Sequence, residues 1–309
     1  MIVAAGLTPA WQQMMVFDGL RVGEVNRARE AHWCSSGKVL NVGLALHHLG
    51  GPSTTVALVG GAPGESIDRE LDGLGVARHL VWSRSATRTC TTILDPTTGT
   101  TTELVENAGP VDPSEIAEFH AAFAQAARGA RGLVLSGSLP RGAPASFYRD
   151  LMASAPSRVV LDARGPELLE ALPLRPFCVK PNREELGKTY GLVIATDSEL
   201  HEAMRETVRR GAEWVVVSAG KDRLWAMSSG GLWGLRPARV PTVNPIGCGD
   251  CLAAGIAWAA DQGETMVEAI RFGMGAAAEN ARQLLPSRLN LQEVRRRAQE
   301  VAVEVTPGS

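Results

Sequence analysis

Asp250 closes the turn Gly247-Cys248-Gly249-Asp250, which follows Pro245 and leads into a small, apolar run from Leu252 to Ala260. Pro245 stops regular structure, and the two glycines allow backbone angles and close approaches that other residues resist. The apolar run reads as a buried helix. A glycine turn feeding a helix leaves N–H groups without partners at the positive end of the helix dipole, and that is an anion site. A carboxylate in the same turn suits proton removal from a nucleophile while the amides hold developing negative charge. An acid at a helix start is also an ordinary cap, and on this stretch alone the cap is the favoured reading. Cys248 and Cys251 match C-x-x-C, yet no second C-x-x-C or H-x-x-x-H accompanies them. Metal and redox roles therefore rank below incidental small residues. A thiol at a helix start can have a depressed pKa, although Asp250 beside Cys248 opposes that.

Other candidates lie upstream. Gly37-Lys38 precedes an apolar stretch, so Lys38 is a candidate contact for a phosphate or sugar oxygen; on this stretch alone a solvated lysine near a helix start is the favoured reading. Asn182 and Glu185 are three apart and can share one helical face. The same spacing fits an N-cap with its capping-box acid.

The elements that must position these residues alternate between strands and helices. Strands are expected near Met1–Leu7, Trp11–Phe17, Thr54–Val59, Leu133–Leu135, Val159–Asp162, Cys178–Val179 and Trp214–Ser218. Helices are expected over Gly43–Leu49, Glu65–Leu74, Pro113–Ala127, Met266–Leu284 and Asn290–Val303. Two hairpins are expected: 88–105, around Asp95-Pro96-Thr97-Thr98-Gly99, and 224–235, around Gly230-Gly231. The faces of 88–105 alternate weakly, so it reads as an exposed flap outside any core. Alternation of this kind implies βαβ units and a mainly parallel sheet covered on both faces, with the ligand site beyond the carboxyl ends of the strands. Ser136-Gly137, Asn182, Gly220 and Gly247–Asp250 all follow strands and should meet at that edge.

The 309 residues suffice for one large α/β domain or two small ones. A hydrophobic content of 45%, a charged content of 21% and a net charge of −2 are ordinary for a globular chain and indicate neither nucleic acid nor membrane as a partner. Five cysteines, an odd number, argue against a disulfide framework and for a reducing, cytoplasmic setting. Pro9 interrupts the first apolar run, so no signal peptide is expected, and no run reaches the length of a membrane span.

Taken together, several motifs resemble the PfkB, or ribokinase-like, carbohydrate kinases over nearly the whole chain. Asn244-Pro245-Ile246-Gly247-Cys248-Gly249-Asp250 is similar to the family signature N/D-T-x-G-A-G-D. Ser35-Ser36-Gly37-Lys38-Val39-Leu40-Asn41-Val42 is similar to G-G-K-G-x-N-x-A. Leu135-Ser136-Gly137-Ser138-Leu139-Pro140 and Lys180-Pro181-Asn182-Arg183-Glu184-Glu185-Leu186 also match. The opening Leu7-Thr8-Pro9-Ala10, with Gly23-Glu24-Val25-Asn26-Arg27, resembles the hexose-phosphate branch, which includes 1-phosphofructokinase and tagatose-6-phosphate kinase.

The resemblance implies one three-layer α/β domain over 1–309, with a small β-sheet lid from segments 10–34 and 86–107, and a homodimer formed through that lid. It implies ATP and Mg²⁺ as cofactors and a sugar phosphate as acceptor. Asp250 would be the base, and Gly247, Cys248 and Gly249 the amide cradle for the transferring phosphoryl group. Asn182 and Glu185 would hold Mg²⁺ through water around the ATP phosphates. Ser218 and Gly220 would border the nucleotide. Gln12, Gly37, Lys38, Asn41, Arg88 and Ser138 would face the sugar phosphate. With the resemblance in place, Asp250 as base is preferred over Asp250 as cap.

Three departures stand out. Gln12 replaces an acid that would grip sugar hydroxyls, Val39 replaces a glycine, and Cys248 replaces an alanine. The first two lie on the sugar side, so an unphosphorylated sugar or nucleoside is an alternative acceptor, and a non-catalytic sugar-phosphate sensor is a third reading.

Overall fold

A computed structural model describes residues 1–155, 157–219 and 222–306. In chain order its elements are β1 (Ile2–Gly6), β2 (Ala10–Val16), β3 (Glu30–Ser36), α1 (Lys38–Leu49), β4 (Ser53–Val59), α2 (Gly61–Gly73), β5 (Arg78–Trp82), β6 (Arg88–Asp95), β7 (Thr100–Val105), α3 (Pro113–Ala126), β8 (Gly132–Ser136) and α4 (Phe147–Ser154). The second half adds β9 (Arg158–Asp162), α5 (Gly165–Ala171), β10 (Cys178–Val179), α6 (Arg183–Tyr190), α7 (Asp197–Arg209), β11 (Trp214–Val217), β12 (Leu224–Ser228), β13 (Gly231–Arg236), α8 (Cys248–Asp261), α9 (Met266–Ala281), α10 (Leu291–Gln299) and β14 (Ala302–Thr306).

Ten strands form the main sheet in the order β14-β13-β12-β11-β10-β9-β8-β1-β4-β5. The seven strands from β11 to β5 pair in parallel, whereas the β11-β12, β12-β13 and β13-β14 pairs are antiparallel. Both faces are buried, and alternate residues of each central strand go to opposite sides. Val3, Ala5, Leu133, Leu135, Val159 and Leu161 pack with Phe119, Phe123, Phe147, Leu168 and Leu200 from α3, α4, α5 and α7. Ile2, Ala4, Val134 and Val160 pack on the other side with Val42, Leu46, Ile256 and Ile270 from α1, α8 and α9. Each fully buried side chain of this size contributes about 1.5–3 kcal/mol, so the three layers hold one another in place. This is the three-layer α/β arrangement expected from the alternation of elements.

The other four strands form a separate sheet, β3-β2-β6-β7, in which β2 and β6 run parallel. The 88–105 hairpin is therefore only half a flap. β7 is largely exposed, but β6 lies between two neighbours and buries Cys90, Thr92 and Leu94.

Several elements differ from expectation. β3 and β5 have no counterpart among the expected strands. The helix expected over Glu65–Leu74 begins earlier, since α2 starts at Gly61. The last helix ends at Gln299, and the chain then forms β14, antiparallel to β13. In each case a neighbouring strand or packing face outweighs weak local signals.

Candidate active site

Residues from distant parts of the chain meet at the carboxyl ends of the parallel strands. Ser136 ends β8 opposite Asp162, which ends β9. Lys180 follows β10, and Asn182 forms an isolated parallel bridge with Ser218 just beyond β11. Helices α1 and α8 begin at the same edge. The residue before each is a glycine with positive φ (83° at Gly37, 82° at Gly247), and neither start has a side-chain cap. The left-handed conformation favours glycine at both positions.

The centre is a charge cluster in which Asp162, Lys180 and Asp250 are buried and Lys38 and Glu185 are partly exposed. Lys38 Nζ lies 3.0 Å from Asp162 Oδ1 and 3.3 Å from Glu185 Oε1. Lys180 Nζ lies 3.3 Å from Asp162 Oδ2. Asp250 is buried, and its Oδ2 accepts a 2.7 Å hydrogen bond from Asn41 Nδ2. Asn41 Oδ1 in turn accepts from Ser36 Oγ at 3.2 Å. A Cβ added to Gly249 would stand 3.5 Å from Lys180 Nζ, and one on Gly247 would stand 3.4 Å from Asn41 Nδ2. Lys38, Asn41, Asp162, Lys180, Glu185, Gly247, Gly249 and Asp250 thus share one neighbourhood.

Electrostatics separate the two buried aspartates. Burial raises the Asp250 pKa to about 6, and the charge of Asp162 adds to the rise; Lys38, the Asn41 hydrogen bond and Lys180 oppose it. Burial would also raise Asp162, but its contacts with Lys180 and Lys38 prevail and hold it below the usual carboxylate range. Lys38 is pushed upward: Asp162, Glu185 and Asp250 overcome the effect of its own burial. Asp162 therefore stays ionised, while Asp250 is poised to exchange a proton near neutral pH.

The remaining sequence candidates fall into three groups. Asn182 and Glu185 do form the capping box of α6: Glu185 N–H donates to Asn182 Oδ1 at 2.8 Å, and Asn182 N–H donates to Glu185 Oε2 at 2.9 Å. Glu185 Oε1 also meets Lys38, so the capping and site readings coexist.

Gly37, Ser138 and Arg88 form a second group around Thr8. Arg88 donates to the carbonyls of Thr8 and Pro9 at 3.2 and 3.3 Å, and Thr8 Oγ1 donates to the Ser138 carbonyl at 3.0 Å. A Cβ on Gly37 would come within 2.9 Å of the Thr8 oxygen.

Gln12 stands apart in β2. It is buried, and its Nε2 donates to Thr92 Oγ1 at 2.6 Å. Ser218 borders Asn182 through the bridge, and Gly220 lies outside the described residues.

Two expectations change. The Cys248 thiol is raised to about 11 rather than lowered, chiefly by burial; the Asn280 hydrogen bond only partly offsets that, and Asp250 adds to it. In the amide cradle, the Cys248 N–H turns back to the Pro245 carbonyl at 3.3 Å. The N–H groups aligned along the first turn of α8 thus begin at Gly249.

Asp162 and Lys180 carried no assigned role in the sequence reading. The available signal was a charged residue closing the short apolar strand β9 and another directly after β10.

The model of the pfkB family carbohydrate kinases matches residues 9–290, and the chain belongs to that family. It is a carbohydrate kinase, and membership implies the use of ATP. Among solved structures, a Thermotoga maritima protein described as "Possible 1-phosphofructokinase" superposes with a TM-score of 0.90 at 21% identity, covering 99% of each chain. Escherichia coli phosphofructokinase-2, solved with substrates and products, superposes at 0.87 with 24% identity over 96% of this chain and 98% of that one. Thermotoga maritima ribokinase gives 0.76 at 17% identity over 96% and 99%. Among the described residues no helix is long and apolar enough to cross a membrane.

Proposed function

We propose that the protein transfers the terminal phosphoryl group of ATP to a hydroxyl of a phosphorylated ketohexose, with Asp250 as the base. The carrying observation is a buried carboxylate with a pKa of about 6 at the uncapped start of α8, held by Asn41 and faced by Lys38 and Lys180. Asp250 takes the hydroxyl proton; the oxygen forms a bond to the terminal phosphorus; the bond to the bridging oxygen breaks, and ADP leaves. The amides of α8 and the two lysines stabilise charge on the transferring group.

Asn182 and Glu185 present hard oxygen donors that suit Mg²⁺ held through water. When bound, that ion would neutralise charge on the ATP phosphates. Ser218 would border the nucleotide. Gly37, Arg88 and Ser138 would line the acceptor side, with the β3-β2-β6-β7 sheet as a lid excluding water. A second copy pairing through this sheet would cover Trp33, Leu104 and Val105, which are exposed on it.

A parallel assay of fructose 1-phosphate, tagatose 6-phosphate, fructose 6-phosphate and the corresponding free sugars tests the reading. ATP-dependent phosphorylation of one ketohexose phosphate is the expected result. Preference for a free sugar would favour the second reading, which Gln12 supports: it is neutral, and its amide is already engaged by Thr92.

A further inference from the structure

The turn before α8 is held from outside as well as by its own hydrogen bonds. Its backbone is braced by a side chain from the end of α9. Asn280 is fully buried, and its Nδ2 donates to the Ile246 carbonyl at 2.7 Å and lies 3.3 Å from Cys248 Sγ. Its Oδ1 accepts the Ser287 N–H at 2.6 Å. Asn280 therefore has partners on both sides of its amide and touches the turn at two consecutive stages, before and after Gly247.

The far side of this brace is itself anchored. Ser287 is fully buried at φ 63°, one of two non-glycine residues with positive φ among the described residues. Such a conformation costs on the order of 1–3 kcal/mol and persists only where its surroundings impose it. Here Asn280 holds its N–H, Cys251 Sγ lies 3.4 Å from its hydroxyl, and the neighbouring Arg288 is fixed by Glu70 Oε1 at 2.6 Å. On the near side, Asn244 Oδ1 accepts the Ile246 N–H at 3.0 Å, so both polar groups of the Ile246 peptide are held by asparagine side chains.

We propose that Asn280 is a positioning residue for phosphoryl transfer: it fixes the Ile246–Gly249 backbone so that the amides of the α8 start and the Asp250 carboxylate face the reacting group together. It touches neither substrate nor Asp250 and acts through the turn. The proposal rests on the kinase reading above. Its physical content is that a buried amide supplies a rigid backbone conformation that the glycines alone leave loose.

Turn misplacement should harm the transition state more than substrate binding. Asn280→Ala should lower kcat at least tenfold, leave KM for ATP and acceptor within about threefold, and speed hydrogen exchange at the Cys248 and Gly249 amides. Asn280→Asp keeps the acceptor toward Ser287 but loses the amide donor toward Ile246, so it should show the same pattern; it also carries the test if the alanine variant does not fold. A kcat within twofold of wild type, or a raised KM at unchanged kcat, overturns the proposal. If the wild-type protein phosphorylates no acceptor in the panel, the acceptor assignment fails separately. Amide exchange then tests the brace itself: faster exchange at 248 and 249 in the variants upholds the fixing of the turn by Asn280, and unchanged exchange overturns the proposal.

Discussion

Two sets of helix starts in this protein contrast with each other. α3, α6 and α7 each open with a full capping box: Asp112 with Glu115, Asn182 with Glu185, and Thr196 with Glu199. α1 and α8 open on a positive-φ glycine with no side-chain cap. A capping box satisfies backbone N–H groups and so removes them from other chemistry. An uncapped start keeps them available, and the two that open on a positive-φ glycine lie beside the Lys38–Asp162–Lys180 cluster. Between these two sets, the residue that precedes the helix decides whether its first N–H groups are satisfied or left available.

The contrast breaks most sharply at Asp250. Asp250→Asn should lower turnover by about 10³-fold, within the range a general base supplies, with the fold intact by circular dichroism. In the wild-type protein kcat/KM should fall about tenfold per pH unit below about 6, as Asp250 takes up a proton. The same group has a stability signature. Its folded pKa lies above the ordinary 3.8, so the folded state holds the proton more tightly, and its stabilising effect is complete below that value and lost as pH rises through about 6. Denaturant titrations of the wild type and Asp250→Asn should therefore diverge between pH 4 and pH 7, by on the order of 2–3 kcal/mol in favour of the variant at the upper end.

Lys38→Met should lower kcat by about 10²-fold through loss of a charge facing the transferring group. It should also shift the acid limb of the pH profile upward, because Lys38 is one of the groups that lower Asp250; an unmoved limb would place Lys38 outside its field. Gly247→Ala adds a Cβ at a φ of 82°, 3.1 Å from Pro286 Cβ and 3.4 Å from Asn41 Nδ2. The backbone cost is about 1–2 kcal/mol, and kcat should drop about tenfold as Asn41 is displaced from Asp250. At the capped end of the comparison, Asp112→Ala should cost about 1 kcal/mol in a denaturant titration and leave kcat unchanged. A change in kcat there would show that α3 is coupled to the site.

How far the site was legible depended on distance along the chain. Gly247 to Asp250 form one turn, so their shared role could be read from adjacent residues. Asn182 and Glu185 matched a capping box, and they form one. What the spacing could not show was Lys38 reaching Glu185 across 147 residues. Gln12 read as a neutral substitute facing sugar, but its amide engages Thr92, eighty positions away, because β2 pairs with β6. Asp162 looked like the end of a strand and is the shared counter-ion of two lysines.

Local chemistry alone therefore determined the alternating strands and helices, the glycine turn and the acid that ends it, because backbone conformation and apolar periodicity are short-range properties. Only the tertiary structure decided which charges meet. Sheet order brings the ends of β8, β9 and β10 to one edge, and burial there raises Asp250 while two lysines hold Asp162 ionised. Electrostatic energy in a dehydrated pocket depends on separation in space and on lost solvent, and neither quantity is written in the order of residues.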